Sequence, residues 1–489
     1  MTEQTRKIHP VWIWFWLGAL LTVLLPLTPP LFGLPLFDQH RLMQIIIFTL
    51  VATGSPLLRR RSATETAPVS RMDRICLATV LALGLCSAAR ARQPLWALTE
   101  ISLITMCVAL GWTVFTLRKQ HCGALLDRAL LTTVFFLCSV MTVKFLSAYA
   151  ASITSGFGSI DTRSLLQGFP NIRMYGQFQT LTLPLLVWPL LAKGIRRRWQ
   201  GAAIVLGIMW WTQAIASGTR GTWLGLAFAA AAMAALCPTG RRWAKWQLAM
   251  AAGGLVLFYL IMTWIPGQMH TAVENHATAR ITTSLTGRDF MWRRAAELTL
   301  QRPLLGVGPM HYADASPPVP GASPHQALLQ WAAEWGLPSL FIVCGLLMKA
   351  AWATARVLQK DHASHKTHAL YGCLAAAILA SSTQAMVDGV IAAPYSQLWL
   401  AIIGGWLLAL HPTTKREKAV SSPWQSFVWH AIITAATATL CYIAARDLPM
   451  ANQRITQYVL HVRTHDRETI WLRPRFWVQG LIADIDKTD

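Results

Sequence analysis

Apolar runs long enough to cross a bilayer recur from one end of this chain to the other, and they limit what it can fold into. A membrane helix takes about 20 mostly apolar residues. Candidate spans fall at 10–31, 42–58, 75–89, 95–116, 129–150, 176–192, 201–216, 222–237, 247–265, 325–350, 369–387, 394–410 and 427–445, thirteen in all. Inside lipid every backbone amide needs an internal partner, so such runs become helices. The composition agrees: 54% of residues are hydrophobic and 13% charged, against about 25% charged in soluble domains. The expected fold is an all-α polytopic membrane protein of 12–13 helices, residues 1–445, followed by a basic C-terminal tail, 446–489. The first run has the look of a signal peptide, but no small-residue cleavage site follows it, so it is read as a retained first helix.

The formal charge of +22 has a topological explanation rather than a nucleic-acid one. Taking alternate loops from the N-terminus, one set holds 24 Lys and Arg and the other, before the tail, holds 11. Positive residues gather in cytoplasmic loops, so the N-terminus lies inside. Thirteen spans then put the tail outside; a twelve-span arrangement with an inside tail is the alternative. Eight of the nine cysteines fall in apolar runs and Cys122 in a basic loop, with neither metal-type spacing nor a disulfide framework.

Two outside segments exceed a turn, 151–175 and 266–324. Within the second, Thr286 or Gly287 is placed to cap a helix. Met291, Trp292, Ala295, Ala296, Leu298 and Thr299 give it an apolar stripe, and Pro303 stops it. Gly306-Val307-Gly308-Pro309 follows, a turn or a place of close backbone approach. Among the outside arginines are Arg163, Arg173, Arg220, Arg280, Arg288, Arg293, Arg294 and Arg302, without one lysine beside them. A planar guanidinium fork suits bidentate phosphate binding, so a set of them at the outer face points to a polyanion. Pairing of several with Asp289, Glu297 or lipid phosphates is the plainer alternative.

His325 follows a Pro/Ser/Gly-rich run and opens the tenth span. A neutral imidazole there can serve as a general base, or the residue can simply cap its helix. Gln326 and Gln330 share its neighbourhood and Glu334 lies deeper. Asp388 sits where the eleventh span emerges, placed to neutralise an arginine, to orient the histidine or to end a helix. Glu100 and Lys144 are intramembrane ions without an assigned role.

The stretch Ser217-Gly218-Thr219-Arg220-Gly221-Thr222-Trp223 puts one arginine among small residues between two spans. With the apolar run after it, it resembles the small-Gly-x-Arg-Gly signature of the O-antigen ligase and polymerase superfamily. QRPLLGVGPMHY followed by PHQALLQWAAEWGLPSLF resembles the second signature, with Gln326 in place of the usual Asn. The resemblance covers about residues 170–400. It implies a metal-independent, inverting glycosyltransferase of the integral-membrane (GT-C) kind, without a cofactor. The donor would be undecaprenyl-pyrophosphate-linked O-antigen and the acceptor lipid A–core oligosaccharide, at the periplasmic face of the bacterial inner membrane. It further implies that His325 activates the acceptor hydroxyl and that Arg220 and Arg288, with Arg173, hold the pyrophosphate. Gly306, Gly308, His311, Gln326 and Asp388 would support them. The same chemistry serves an O-antigen polymerase. GFPNIRMYGQFQTLTLPLL also resembles the protein O-oligosaccharyltransferase branch. A lipid transporter is the rival of a different class; the clustering of Arg and His at one face and the lack of a charged path through the spans weigh against it.

Overall fold

The computed structural model describes residues 10–31, 33–59, 69–120, 123–154, 159–274, 287–314, 321–360, 365–412, 423–465, 472–480 and 482. Arg280, Thr286 and Cys122 lie outside the described residues.

Each expected span is helical. In chain order the helices are α1 (Pro10–Leu24), α2 (Leu36–Arg59), α3 (Arg71–Ala89), α4 (Pro94–Gln120), α5 (Gly123–Thr154) and α6 (Ile172–Leu186), then α7 (Arg197–Ala216), α8 (Arg220–Leu236) and α9 (Pro238–Tyr259). After them come α10 (Arg288–Gln301), α11 (Ala327–Trp335), α12 (Leu337–Gln359), α13 (His365–Gln384), α14 (Pro394–Leu410), α15 (Pro423–Asp447) and α16 (Ala451–His465). Six are individually long and apolar enough to cross a membrane: α3, α4, α5, α9 with its extension to Gln268, α12, and α15 with the residues after it. The others are shorter or carry polar residues.

The tenth span departs from one continuous helix. Gly336 breaks it into α11, nine residues long, and α12, which crosses. The helix expected in the second long segment is α10, and its stripe holds in part: Met291, Ala295, Leu298 and Thr299 are buried, Trp292 is half-buried and Ala296 is exposed. The two long outer segments meet in a short parallel pair, Ser159–Asp161 against Ala272–Glu274.

Small residues let the helices approach closely, as is usual where lipid supplies no hydrophobic drive for association. A side chain at Gly405 of α14 would lie 2.1 Å from the Gly111 carbonyl of α4, and one at Gly225 of α8 would lie 2.4 Å from the Ala380 carbonyl of α13. Aromatic rings fill the space between α6, α7 and α14, where Phe178 packs against Phe169, Trp210, Tyr395 and Trp399. At the C-terminal end of α4 Arg118 holds Asp127 with two bonds of 2.8 and 2.9 Å, and the Trp406 indole N–H donates to the same carboxylate.

The segment after α16 does not hang free of the bundle. Arg475, Phe476, Trp477 and Val478 are buried at its outer end. The Val478 amide donates to Asp38 of α2 and the Trp477 indole to Asp447 at the end of α15.

Candidate active site

The site begins with the turn between α7 and α8. Gly218 sits at φ +60°, a conformation that glycine adopts without steric cost, and this reverses the chain within three residues. Ser217 Oγ donates to the Ala214 carbonyl and accepts from the Thr219 amide. The Thr219 hydroxyl reaches the Ile172 carbonyl at the head of α6. Thr222 Oγ1 accepts from Gln384 Nε2 of α13 at 3.3 Å, and the Trp223 indole returns to the Ala214 carbonyl. Thr219, Thr222 and Trp223 thus tie this turn to α6, α13 and α7, and Arg220 is the first residue of α8.

Arg173 and Arg288 occupy matching places. Arg173 is the second residue of α6, whose N-cap Asn171 accepts from the Met174 amide, and Arg288 is the first residue of α10. A cation at a helix N-terminus opposes the helix dipole. Three such cations, brought together, make a place that an anion would relieve from both the guanidinium groups and the free amides. They do come together. Burial, then the charge of Arg173, pushes the Arg288 pKa below its ordinary value, with Arg220 adding to the push and Asp388 opposing it.

His325 faces this cluster. It stands between the strap Gly321–Pro324, held by a bond from the Trp292 indole to the Pro324 carbonyl, and α11, whose head is tied to α13 by Ala327 N to Ala385 O. Its backbone is left-handed, φ +52°, an uncommon and strained conformation for a residue with a side chain. Nδ1 is buried and makes no hydrogen bond. A methyl group on Gly389 would lie 3.0 Å from Nδ1, so the absent side chain there makes room for the ring. Burial lowers the His325 pKa to about 4; Asp388 acts against that shift, and Arg173, Arg288 and Arg475 reinforce it. The imidazole is therefore neutral at neutral pH and able to accept a proton.

Asp388 is buried beside them, but it does not bond to the histidine. One carboxylate oxygen takes the Gly389 amide at 2.8 Å, the other Gln384 Nε2 at 3.2 Å. Its charge acts across space on Arg288 and His325. Gln326 caps α11, its side-chain oxygen accepting from the Leu329 amide at 2.5 Å, so the amide at this position has local work.

Gly306, Gly308 and His311 are placed elsewhere. Val307 N and Gly308 N donate to the Ala333 and Glu334 carbonyls, packing this turn against the break between α11 and α12. Gly306 has φ +69°, and a side chain on it would meet the Glu334 backbone at 2.5 Å. His311 Nε2 accepts from the Gln93 amide and Nδ1 bonds the Pro309 carbonyl. Burial, first among its influences, holds its pKa below the usual histidine value. It is a neutral strut between the outer loop and the α3–α4 turn. Of the remaining outer arginines, Arg293 lies 4.0 Å from Asp289 and Arg294 lies 3.1 Å from Glu297, while Arg302 donates to the Arg90 carbonyl. Among the described residues no three His, Cys, Asp or Glu side chains gather as metal ligands would.

Residues 185–344, about a third of the chain, match the family model described as O-antigen ligase. Over that third the chain is similar to O-antigen ligases, which supports membership of their superfamily. No curated protein matches it. The matched stretch runs from the end of α6 into α12 and holds Arg220, Arg288 and His325; Arg173 and Asp388 fall outside it and join the site through the fold. What that family implies, in general terms, is a glycosyl-transferring, ligase-type enzyme with polysaccharide and lipid substrates.

Two further charged residues went unread in the sequence. Arg475 bonds Glu100 of α4 and Glu334 of α11 at 3.2 and 2.7 Å, so both carboxylates that lacked a role share one partner. Arg41 of α2 bonds Gln44, Gln397 and the carbonyls of Ala392, Arg475 and Phe476. Apart from Gln44, their partners lie between 141 and 435 positions away, and nothing local marks them.

Proposed function

We propose that this protein joins undecaprenyl-pyrophosphate-linked O-antigen to lipid A–core oligosaccharide at the periplasmic face of the bacterial inner membrane. The observation that carries this reading is that Arg173, Arg220 and Arg288, each in the first turn of its own helix, lie within electrostatic reach of one another, and that Arg173 and Arg288 act in turn on a neutral His325. The acceptor hydroxyl oxygen attacks the anomeric carbon of the donor sugar, forming the new glycosidic bond. The bond from that carbon to the pyrophosphate oxygen breaks, and its electron pair leaves with the pyrophosphate. His325 takes the hydroxyl proton. Attack opposite the leaving group inverts the configuration.

The arginines hold charge that grows on the pyrophosphate in the transition state, where preorganised cations stabilise most. Each charge that develops thus has a protein partner without a metal ion. Pyrophosphate binding also offsets the positive field on His325, raising its pKa from the low value of the empty site while the donor is in place. The base strengthens when there is work for it.

The test is lipopolysaccharide analysed on gels from a strain lacking the gene and carrying wild type, His325→Ala or Arg220→Lys. Wild type restores the O-antigen ladder. Both variants leave bare core and accumulated lipid-linked O-antigen, Arg220→Lys because a point charge does not reproduce the bidentate fork. A normal ladder from well-expressed His325→Ala would overturn the catalytic assignment. Core capped with a single repeat unit would favour a polymerase, and glycosylated protein with bare core in every strain an O-oligosaccharyltransferase.

A further inference from the structure

Residues 472–480 touch the chain on both sides of His325. Arg475, 2% exposed, enters the bundle between α4 and α11. Its Nη2 reaches Glu334 Oε2 at 2.7 Å and Glu100 Oε1 at 3.2 Å. Glu334 also accepts from the Tyr312 amide at 3.1 Å, and it stands on the nine-residue helix whose head follows His325 directly. The Arg475 carbonyl accepts from Arg41 Nη2, which also holds the Ala392 carbonyl at 2.9 Å. Ala392 ends the turn that starts at Asp388, and Ala392 N bonds the carbonyl of Gly389, the residue against His325 Nδ1. A side chain on Gly480 would lie 3.1 Å from Ala322 Cβ, three residues before the histidine.

We infer that Arg475, carried in by the C-terminal segment, is a positioning residue that fixes His325 in the site, through Glu334 on α11 and through Arg41 on the 388–392 turn. A strained histidine backbone persists only where its surroundings over-determine it. Here the strap before it, the helix after it and the turn against its ring all lean on this one segment. A shift of about 1 Å in a reacting group can cost about 10²-fold in rate. The catalytic part of this inference rests on the glycosyl-transfer reading above; the positioning part does not.

The experiment uses full-length Arg475→Gln, Arg475→Lys and Arg475→Gln/Glu334→Gln beside wild type. Two readouts are taken: transfer from lipid-linked O-antigen to lipid A–core, and the pH dependence of His325 modification by diethyl pyrocarbonate, followed by peptide mass spectrometry. Arg475→Gln lowers kcat by about 10²-fold. It also moves the modification midpoint to higher pH, because of the charges facing His325 (Asp388, Arg173, Arg288 and Arg475) one positive charge is gone. Arg475→Lys loses rate but keeps the midpoint, since one ammonium keeps the charge without spanning both carboxylates. The double variant, which removes one charge of each sign, recovers part of the rate. Wild-type rate and midpoint in Arg475→Gln would overturn the inference, as would a lower melting temperature with both readouts unchanged per folded molecule. Should wild type transfer nothing, the ligase reading fails and the modification midpoints still decide the positioning role.

Discussion

At the scale of single residues, the chemistry turns on one imidazole in a positive field. Its depressed pKa makes the neutral form dominant through the physiological range, and the sign follows: the base is lost only as pH falls toward about 4. The acid limb of kcat/KM, which reports the free enzyme, is expected well below the ordinary histidine pKa of about 6.5. The limb of kcat, with pyrophosphate bound, is expected at higher pH. Profiles of both parameters check this, and a kcat/KM limb at or above the ordinary value refutes it. Gly389→Ala, which places a methyl 3.0 Å from Nδ1, is expected to cut transfer strongly while leaving the protein folded and donor retained, read by donor KM and a thermal melt. Most of these residues were legible before the structure. Arg220 and His325 stand out because each is a polar group at the edge of an apolar run, and the glycines around them mark turns.

At the scale of elements, the helices serve as holders for their first turns. α6, α8 and α10 each present an arginine, and α11 begins two residues after the histidine. The placing of α8 depends on its close approach to α13 at Gly225. Gly225→Leu overfills that contact and is expected to destabilise the protein by about 1–3 kcal/mol and to displace Arg220, seen as a lower melting temperature and a raised donor KM. Removing the α11 cap in Gln326→Ala should cost about 1 kcal/mol; an unchanged melt would mean that the Leu329 amide finds another partner. Span positions were readable from hydropathy, because burial in lipid is a local property of about 20 residues. The break at Gly336 was not. A run that is apolar on both sides of a glycine looks continuous, and the turn carrying Gly306, which packs against the break, arrives from thirty residues upstream.

At the scale of the whole molecule, the bundle brings Arg173, Arg288 and Arg475 within electrostatic reach of His325, and the C-terminal segment packs against that same end. Thirteen spans place that segment on the same side as α10 and His325, and the bonds from Val478 to Asp38 and from Trp477 to Asp447 fit no other side. Alkaline phosphatase fused after the last residue should therefore be active in cells, as it would be at the outer face. An inactive fusion in a stable protein would revive the twelve-span arrangement.

The sequence alone determined the class of fold, an all-α membrane bundle, and raised Arg220, Arg288 and His325 as candidates. Hydropathy, charge bias and turn chemistry are written along the chain and need no knowledge of contacts. Only the tertiary structure decided that Gly306 and Gly308 pack against the break between α11 and α12, that His311 braces the α3–α4 turn, and that Glu100 and Glu334 share Arg475. Those facts depend on which helix ends meet. Helix packing brings together residues that no local pattern relates, and a buried ion declares its purpose only when its partner, here more than a hundred residues away, is in place.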